Sequence, residues 1–237
     1  MLAIGGSAFV WFWFSGGSGE PSSELTTPTI AGQTTTIAGP TTTGAEATTT
    51  TSAAESASSA FVIQQEQLQA TFILDEVLRG EPTTVVGATS ELAGQFVLDL
   101  VDLSQTQFSD FVVNARTFAT DSSTRDRAIR GPIILNSATD EFEFITFTVT
   151  DVVGLEGSAA VGDTFTFTLI GDLTIRDQTN EVEFEVSASL LDSSTVQGTA
   201  TADVLRSDFG IGIPNVASVA DVTDEVTLQL ELMATSS

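Results

Sequence analysis

The chain has 237 residues, with 32 Asp and Glu against 7 basic residues, all of them Arg, for a formal net charge of −25, and it contains neither His nor Cys. That charge excludes nucleic acid as a partner and docking on anionic lipid through a basic patch, because both need clustered cations. The missing residue types exclude Ser-His-Asp and Cys-His nucleophiles, thiol redox chemistry, disulfides, and zinc or haem sites of the usual ligand types; carboxylate chemistry, hard-cation binding or no chemistry remain.

Residues 1–14, MLAIGGSAFVWFWF, are apolar or small throughout and end in an aromatic cluster. As a helix they would span only about 21 Å, short of the ~30 Å hydrocarbon core of a bilayer. No Lys or Arg precedes them, so the basic start of an export signal is missing. Two readings fit: the outer half of an export signal or membrane anchor whose start lies upstream, with Trp11 and Trp13 at the interface, or a sticky disordered terminus. Residues 15–60 are low in complexity, with repeated Thr runs, Pro21, Pro28 and Pro40, and almost no large apolar side chain to offset the entropy of ordering. They read as a disordered stalk, either an O-glycosylated spacer or a plain flexible linker.

From Phe61 the pattern becomes that of strands. Leu68, Ala70, Phe72 and Leu74 share one phase, as do Gly94, Phe96, Leu98 and Leu100. Further strands are expected from Phe108 to Phe118 and from Glu143 to Val153, with one short helix near Ser122 to Arg130. The clearest alternation runs from Thr164 to Leu190. There Phe165, Phe167 and Leu169 alternate with Thr, and Val182, Phe184, Val186 and Ala188 alternate with Glu or Ser, across a turn placed at Arg176 to Asn180. Strands from Val196 to Leu205 and from Glu225 to Met233 complete eight or nine. Antiparallel strands with one apolar face close into a barrel or a two-sheet sandwich, so the fold class is all-β. The same apolar face has two readings, a filled core or the wall of a ligand tunnel.

Four ordered stretches carry a family resemblance: TVVGATSELAGQF at Thr84 to Phe96, ATDSSTRDRAIRG at Ala119 to Gly131, GDLTIRDQTNEVEFEV at Gly171 to Val186, and LRSDFGIGIP at Leu205 to Pro214. Together they resemble the YceI-like domain, over Phe61 to about Ala234. The resemblance implies an antiparallel eight-stranded lipocalin-like β-barrel over residues 61–237, exported from the cytoplasm, holding an isoprenoid lipid or isoprenoid quinone in a central tunnel. It implies no required cofactor and no catalysis, and an amphiphilic lipid as partner. The tunnel wall would then be Phe72, Leu74, Phe96, Leu98, Phe111, Val113, Phe147, Val149, Phe165, Phe167, Leu169, Phe184 and Val186, with Ile129, Phe209 and Ile211 at its opening. Sixteen Phe and no Tyr suit a ligand that offers the wall no hydrogen bonds. Family members often carry His-Gly where Arg176-Asp177 stands here, so no role of that histidine transfers.

Arg125, Arg127 and Arg130 form a basic knot that suggests a polar mouth: a guanidinium can fork onto a phosphate or polarise a quinone carbonyl. It can equally pair with Asp121, Asp126 or Asp208 and serve only structure. No D-x-[DN]-x-[DN]-G calcium loop is present. Three functions follow for test: a tethered extracytoplasmic lipid carrier, a surface-displayed interaction barrel with a filled core, and a carboxylate enzyme with two facing acids. Oligomeric state is left open, a dimer included.

Overall fold

The computed structural model describes residues 20–22, 25–30 and 58–236. Eight passes of chain build one antiparallel sheet. We number them β1 (Ser58–Ile63 and Gln69–Leu78), β2 (Glu81–Thr89, Leu92–Ala93 and Gln95–Asp99), β3 (Gln107–Phe108 and Phe111–Asn114), β4 (Phe144–Val153), β5 (Thr164–Ile175), β6 (Gln178–Asp192), β7 (Thr195–Leu205) and β8 (Glu225–Ser236). Each pairs with the next, and β8 pairs back onto both segments of β1, so the sheet closes into the expected eight-stranded barrel. Helix α1 (Ser123–Arg130) lies between β3 and β4, and Ser122 caps it by accepting from the Arg125 amide, as its Ser-rich start predicts.

The β5–β6 hairpin is the longest uninterrupted ladder, running from Ile175↔Gln178 to Thr164↔Ser189. Its turn is only Arg176–Asp177, shorter than the expected Arg176 to Asn180, because Gln178, Thr179 and Asn180 already pair across the ladder. A two-residue hairpin turn needs left-handed backbone, and Arg176 supplies it at φ 60°. The register sets the faces: Phe165↔Ala188, Phe167↔Val186 and Leu169↔Phe184 all point inward, while Glu181, Glu183 and Glu185 are exposed.

The opposite side of the barrel is more broken. The single strand expected from Phe108 to Phe118 is instead two short segments and a 3-10 turn, Ala115–Thr117. The β2–β3 seam holds together through Leu92↔Val113, Ala93↔Val112, Phe96↔Phe108 and Val97↔Gln107, extended only by an isolated bridge between Ala88 and Ala119. Backbone groups released at these breaks find local partners: Asn114 accepts from the Arg116 amide, and Ser109 Oγ accepts from the Gln95 amide at 2.9 Å.

Three glycines, two in the β2 pass and one on β5, make room for rings. A Cβ on Gly171 would lie 2.7 Å from Cζ of Phe147 and closer still to the Thr148 carbonyl; one on Gly94 would lie 2.6 Å from Phe111 Cδ1; one on Gly87 would overlap the Phe72 ring. Those rings therefore rest on the barrel wall. One end of the barrel is packed solid, where Phe61, Leu190 and Ala234 are fully buried, Phe61 stacks on Phe96 at 5.3 Å, and Leu103 plugs the bottom.

Beneath the β2–β3 seam sits a buried ionic cluster. Arg116, 4 % exposed, donates to Glu143 Oε2 at 2.9 Å, to Asp140, and to the carbonyls of Ser137 and Ala138; Asn114 donates to the other Glu143 oxygen at 2.9 Å. The same cluster anchors the segment preceding the barrel. The Glu20 carbonyl accepts from Arg116 Nη1 at 2.8 Å, the Ser22 amide donates to Glu143 Oε1 at 2.6 Å, the Pro28 carbonyl accepts from Gln95 Nε2 at 2.8 Å, and Ile30 is buried. Residues 20–22 and 25–30 thus lie on the barrel, a correction to the disorder expected across 15–60; Ile30 is the apolar anchor that the Thr-rich composition obscures. Ser58 to Ala60, the end of the expected stalk, already belong to β1, and the rest of the stalk and the anchor expected at 1–14 fall outside the described residues. Among the described residues no helix is long and apolar enough to cross a membrane.

Two stability measurements check this account. Gly171→Ala is expected to lower unfolding free energy by about 1–3 kcal/mol through overpacking, whereas Gly198→Ala, whose Cβ would meet nothing nearer than 3.6 Å, stays within about 0.5 kcal/mol; urea titration reads both. Arg116→Met strands Glu143 without its counter-charge and is expected to cost about 3–5 kcal/mol, read as a lower urea midpoint at unchanged slope.

Candidate functional site: a two-chamber apolar cavity

Because rings lie on the wall and the plug occupies one end, the middle and the far end of the barrel are hollow. An inner chamber of about 180 Å³ runs between the sheets of side chains, and an outer chamber of about 500 Å³ continues it toward α1 and the loop after β7. Phe72, Phe118, Ile145, Ile175 and Leu228 line both chambers and form the neck between them. Volumes in the range of about 300–1,000 Å³ are typical of small-molecule sites.

The inner chamber is almost purely apolar. From β2 to β4 it takes Phe96, Leu98, Phe111, Val113 and Phe147, and from the β5–β6 hairpin Phe165, Phe167, Leu169, Phe184 and Val186. Phe147 meets Phe184 edge to face at 4.9 Å, and Phe108 links Phe96, Phe111 and Phe167 at 6.0 to 6.4 Å. Offset and edge-on ring pairs of this kind are favourable beyond the area they bury. Val149, expected on the wall, lines neither chamber; it keeps the inward phase of Phe147 and packs half-buried against the core.

The outer chamber is lined by Leu74, Ile129, Phe209 and Ile211, as expected, and adds a polar rim absent from the inner one. Of the three clustered arginines only Arg125 lines it; Arg127 is exposed to solvent, and Arg130 lies outside both chambers. An eight-residue helix turns about 100° per residue, so side chains two and five positions apart leave on different sides. Arg125 donates to Glu76 Oε1 at 2.9 Å and forms an i,i+4 ion pair with Asp121. Partial burial would lower the Arg125 pKa, but the hydrogen bond and charge of Glu76, then those of Asp121, outweigh it and raise the pKa above its ordinary value. The guanidinium stays charged.

Glu76 escaped the sequence reading, although a signal was present: it continues the inward phase of Ala70, Phe72 and Leu74, and it is only 8 % exposed. Arg206 is a second missed residue. It donates to the carbonyls of Thr223 at 3.0 Å and Ile211 at 2.9 Å, tying the loop after β7 over the chamber, and nearby Asp224 is held below the usual carboxylate range chiefly by the Ser207 hydroxyl. Glu76 and Asp121 both serve Arg125, so they are not a pair of free acids facing a substrate. No cluster of three or more potential metal ligands occurs among the described residues.

The fold has known counterparts. BcnA of Burkholderia cenocepacia superposes with a TM-score of 0.56 at 18% identity, covering 73% of this chain and 99% of that one. A polyisoprenoid binding domain from Saccharophagus degradans gives 0.56 at 11% identity over 76% of this chain and 99% of that one. The YceI protein of Campylobacter jejuni gives 0.50 at 14% identity over 64% and 84%. At these identities the likeness is one of fold. No curated protein sequence matches the chain. A sequence model of the YceI-like domain, however, matches residues 23–234, which takes in residues 25–30 on the barrel as well as the barrel itself, and the chain therefore belongs to the YceI-like domain family.

Proposed function

We propose that this protein binds and carries an isoprenoid lipid or isoprenoid quinone in the two-chamber cavity, outside the cytoplasm and tethered through residues 1–14, with no catalysis of its own. The observation that carries the reading is the continuous hollow from outer rim to inner chamber, walled by Phe, Leu, Ile and Val. A filled core would make the barrel a display scaffold, and an enzyme would need reactive groups in the hollow; the inner chamber is neither filled nor reactive. An apolar void is costly to leave empty, because the lining atoms lack contacts on one side. A flexible hydrocarbon supplies those contacts with no polar group left unpaired. The polyisoprenoid binding domain of Saccharophagus degradans shares the fold, which adds support for this ligand class. If the ligand is a quinone, its redox chemistry belongs to the ligand and the protein contributes binding and orientation.

Organic extraction of the purified full chain followed by mass spectrometry is expected to recover a prenyl lipid in near-stoichiometric amount. Phe167→Trp places a larger ring in the inner chamber. The recovered lipid should fall by about tenfold while unfolding free energy shifts by no more than ~1 kcal/mol, since the new atoms fill existing space. Lipid-free wild-type protein, or a Trp variant that retains its lipid, would count against the carrier reading.

A further inference from the structure

The rim of the outer chamber has a charge arrangement that selects among prenyl lipids. Arg125 lines the chamber, and each of its terminal nitrogens is ion-paired, one to Glu76 and one to Asp121. Two carboxylates therefore surround one guanidinium, and the group carries a net negative charge. Arg206, the other arginine that reaches in, spends its donors on the Thr223 and Ile211 carbonyls and sits 3.7 Å from Asp224. Only Arg79 lines the chamber without an ion pair among the described residues, and it stands exposed at the β1–β2 turn.

Glu76 is the decisive residue. It is buried, lines the outer chamber, and uses only Oε1 for Arg125; Oε2 has no hydrogen-bond partner among the described residues. A carboxylate oxygen accepts only, so Oε2 is open to a hydrogen bond from a donor that enters the chamber. A lipid phosphate or carboxylate brings no donor and a like charge, which is repelled most strongly where water is scarce. A hydroxyl donates to Oε2 and brings no charge.

We propose that Glu76, held in place by Arg125, reads an uncharged hydroxyl head group, so that this barrel takes prenyl alcohols or the hydroxyl form of a prenyl quinone and rejects prenyl phosphates. The proposal rests on the lipid-carrier reading and names the ligand class within it.

The test uses the purified full chain, stripped of lipid, with geranylgeraniol, geranylgeranyl monophosphate and a hydrocarbon of matched length as probes, each displacing a fluorescent apolar reporter. Wild-type protein is expected to bind the alcohol at least tenfold more tightly than the monophosphate and severalfold more tightly than the hydrocarbon. Raising NaCl to about 1 M, where the Debye length is about 3 Å, screens the acidic exterior but not a group buried in the chamber, so the preference should persist. In Glu76→Gln the monophosphate should gain about tenfold relative to the alcohol. Equal or tighter binding of the monophosphate by wild type, collapse of the preference in high salt, or an unchanged ratio in Glu76→Gln would overturn the head-group proposal while leaving lipid carriage intact. The wild-type comparison stands even if Glu76→Gln does not fold. Binding of none of the three probes overturns the carrier reading and this proposal with it.

Discussion

Aromatic rings seated on glycine are the interaction on which the rest of this barrel depends. Phe72 lies on Gly87, Phe111 on Gly94 and Phe147 on Gly171, each glycine on a strand beside the ring and each without the Cβ that would push the ring into the lumen. A strand glycine normally weakens a sheet through lost packing and greater chain entropy. Here the neighbouring ring restores the packing and shields the bare backbone. The ring's own surface still leaves water, a gain of about 1.5–3 kcal/mol for a fully buried Phe side chain. What the arrangement avoids is the phenylalanines of the inner chamber collapsing across an eight-stranded barrel, whose interior is just wide enough for side chains to fill. The lumen stays apolar and also stays open.

Charge is segregated around that lumen by position in the strand. Along β6 the acids Glu181, Glu183 and Glu185 take the outward phase and are exposed, where high dielectric and salt make them cheap. The buried charges are few: Asp126 accepts from the Thr120 amide and hydroxyl, and the others are tied to arginines. Glu143 and Arg116 form a cluster under the weak β2–β3 seam and hold the preceding segment with backbone contacts. Glu76 and Arg125 stand at the rim of the outer chamber. In a chain with seven basic residues, two of them are placed on buried carboxylates. One braces the seam, and the other faces the ligand.

Much of the fold was legible because period-two alternation in long strands is a local property. The β5–β6 hairpin, the helix after β3, and the inward set from Phe165 to Val186 all follow from neighbours in sequence. The signal failed where a strand is broken. Across the stretch 107–118, apolar residues do not keep one phase, since two short segments and a 3-10 turn replace a continuous strand. Val149 keeps the inward phase that alternation assigns it, and only the packing of its neighbours decides that it lines neither chamber. The ordered part of the Thr-rich segment was hidden for a related reason: its contacts run to Arg116, Glu143 and Gln95, and composition carries no information about partners so distant in the chain.

The sequence by itself determined that the folded part is all-β with one greasy face, that no histidine or cysteine chemistry is available, and, through four ordered stretches, which family the domain belongs to. These rest on residue type and short-range order alone. Whether the greasy face is a core or a cavity was decided only in three dimensions, because it depends on how rings from β1, β3 and β4 lean against glycines on other strands. The same holds for the rim. Three arginines looked equivalent along the chain, and only the direction in which α1 points Arg125, toward a carboxylate 49 residues away, set it apart from Arg127 and Arg130.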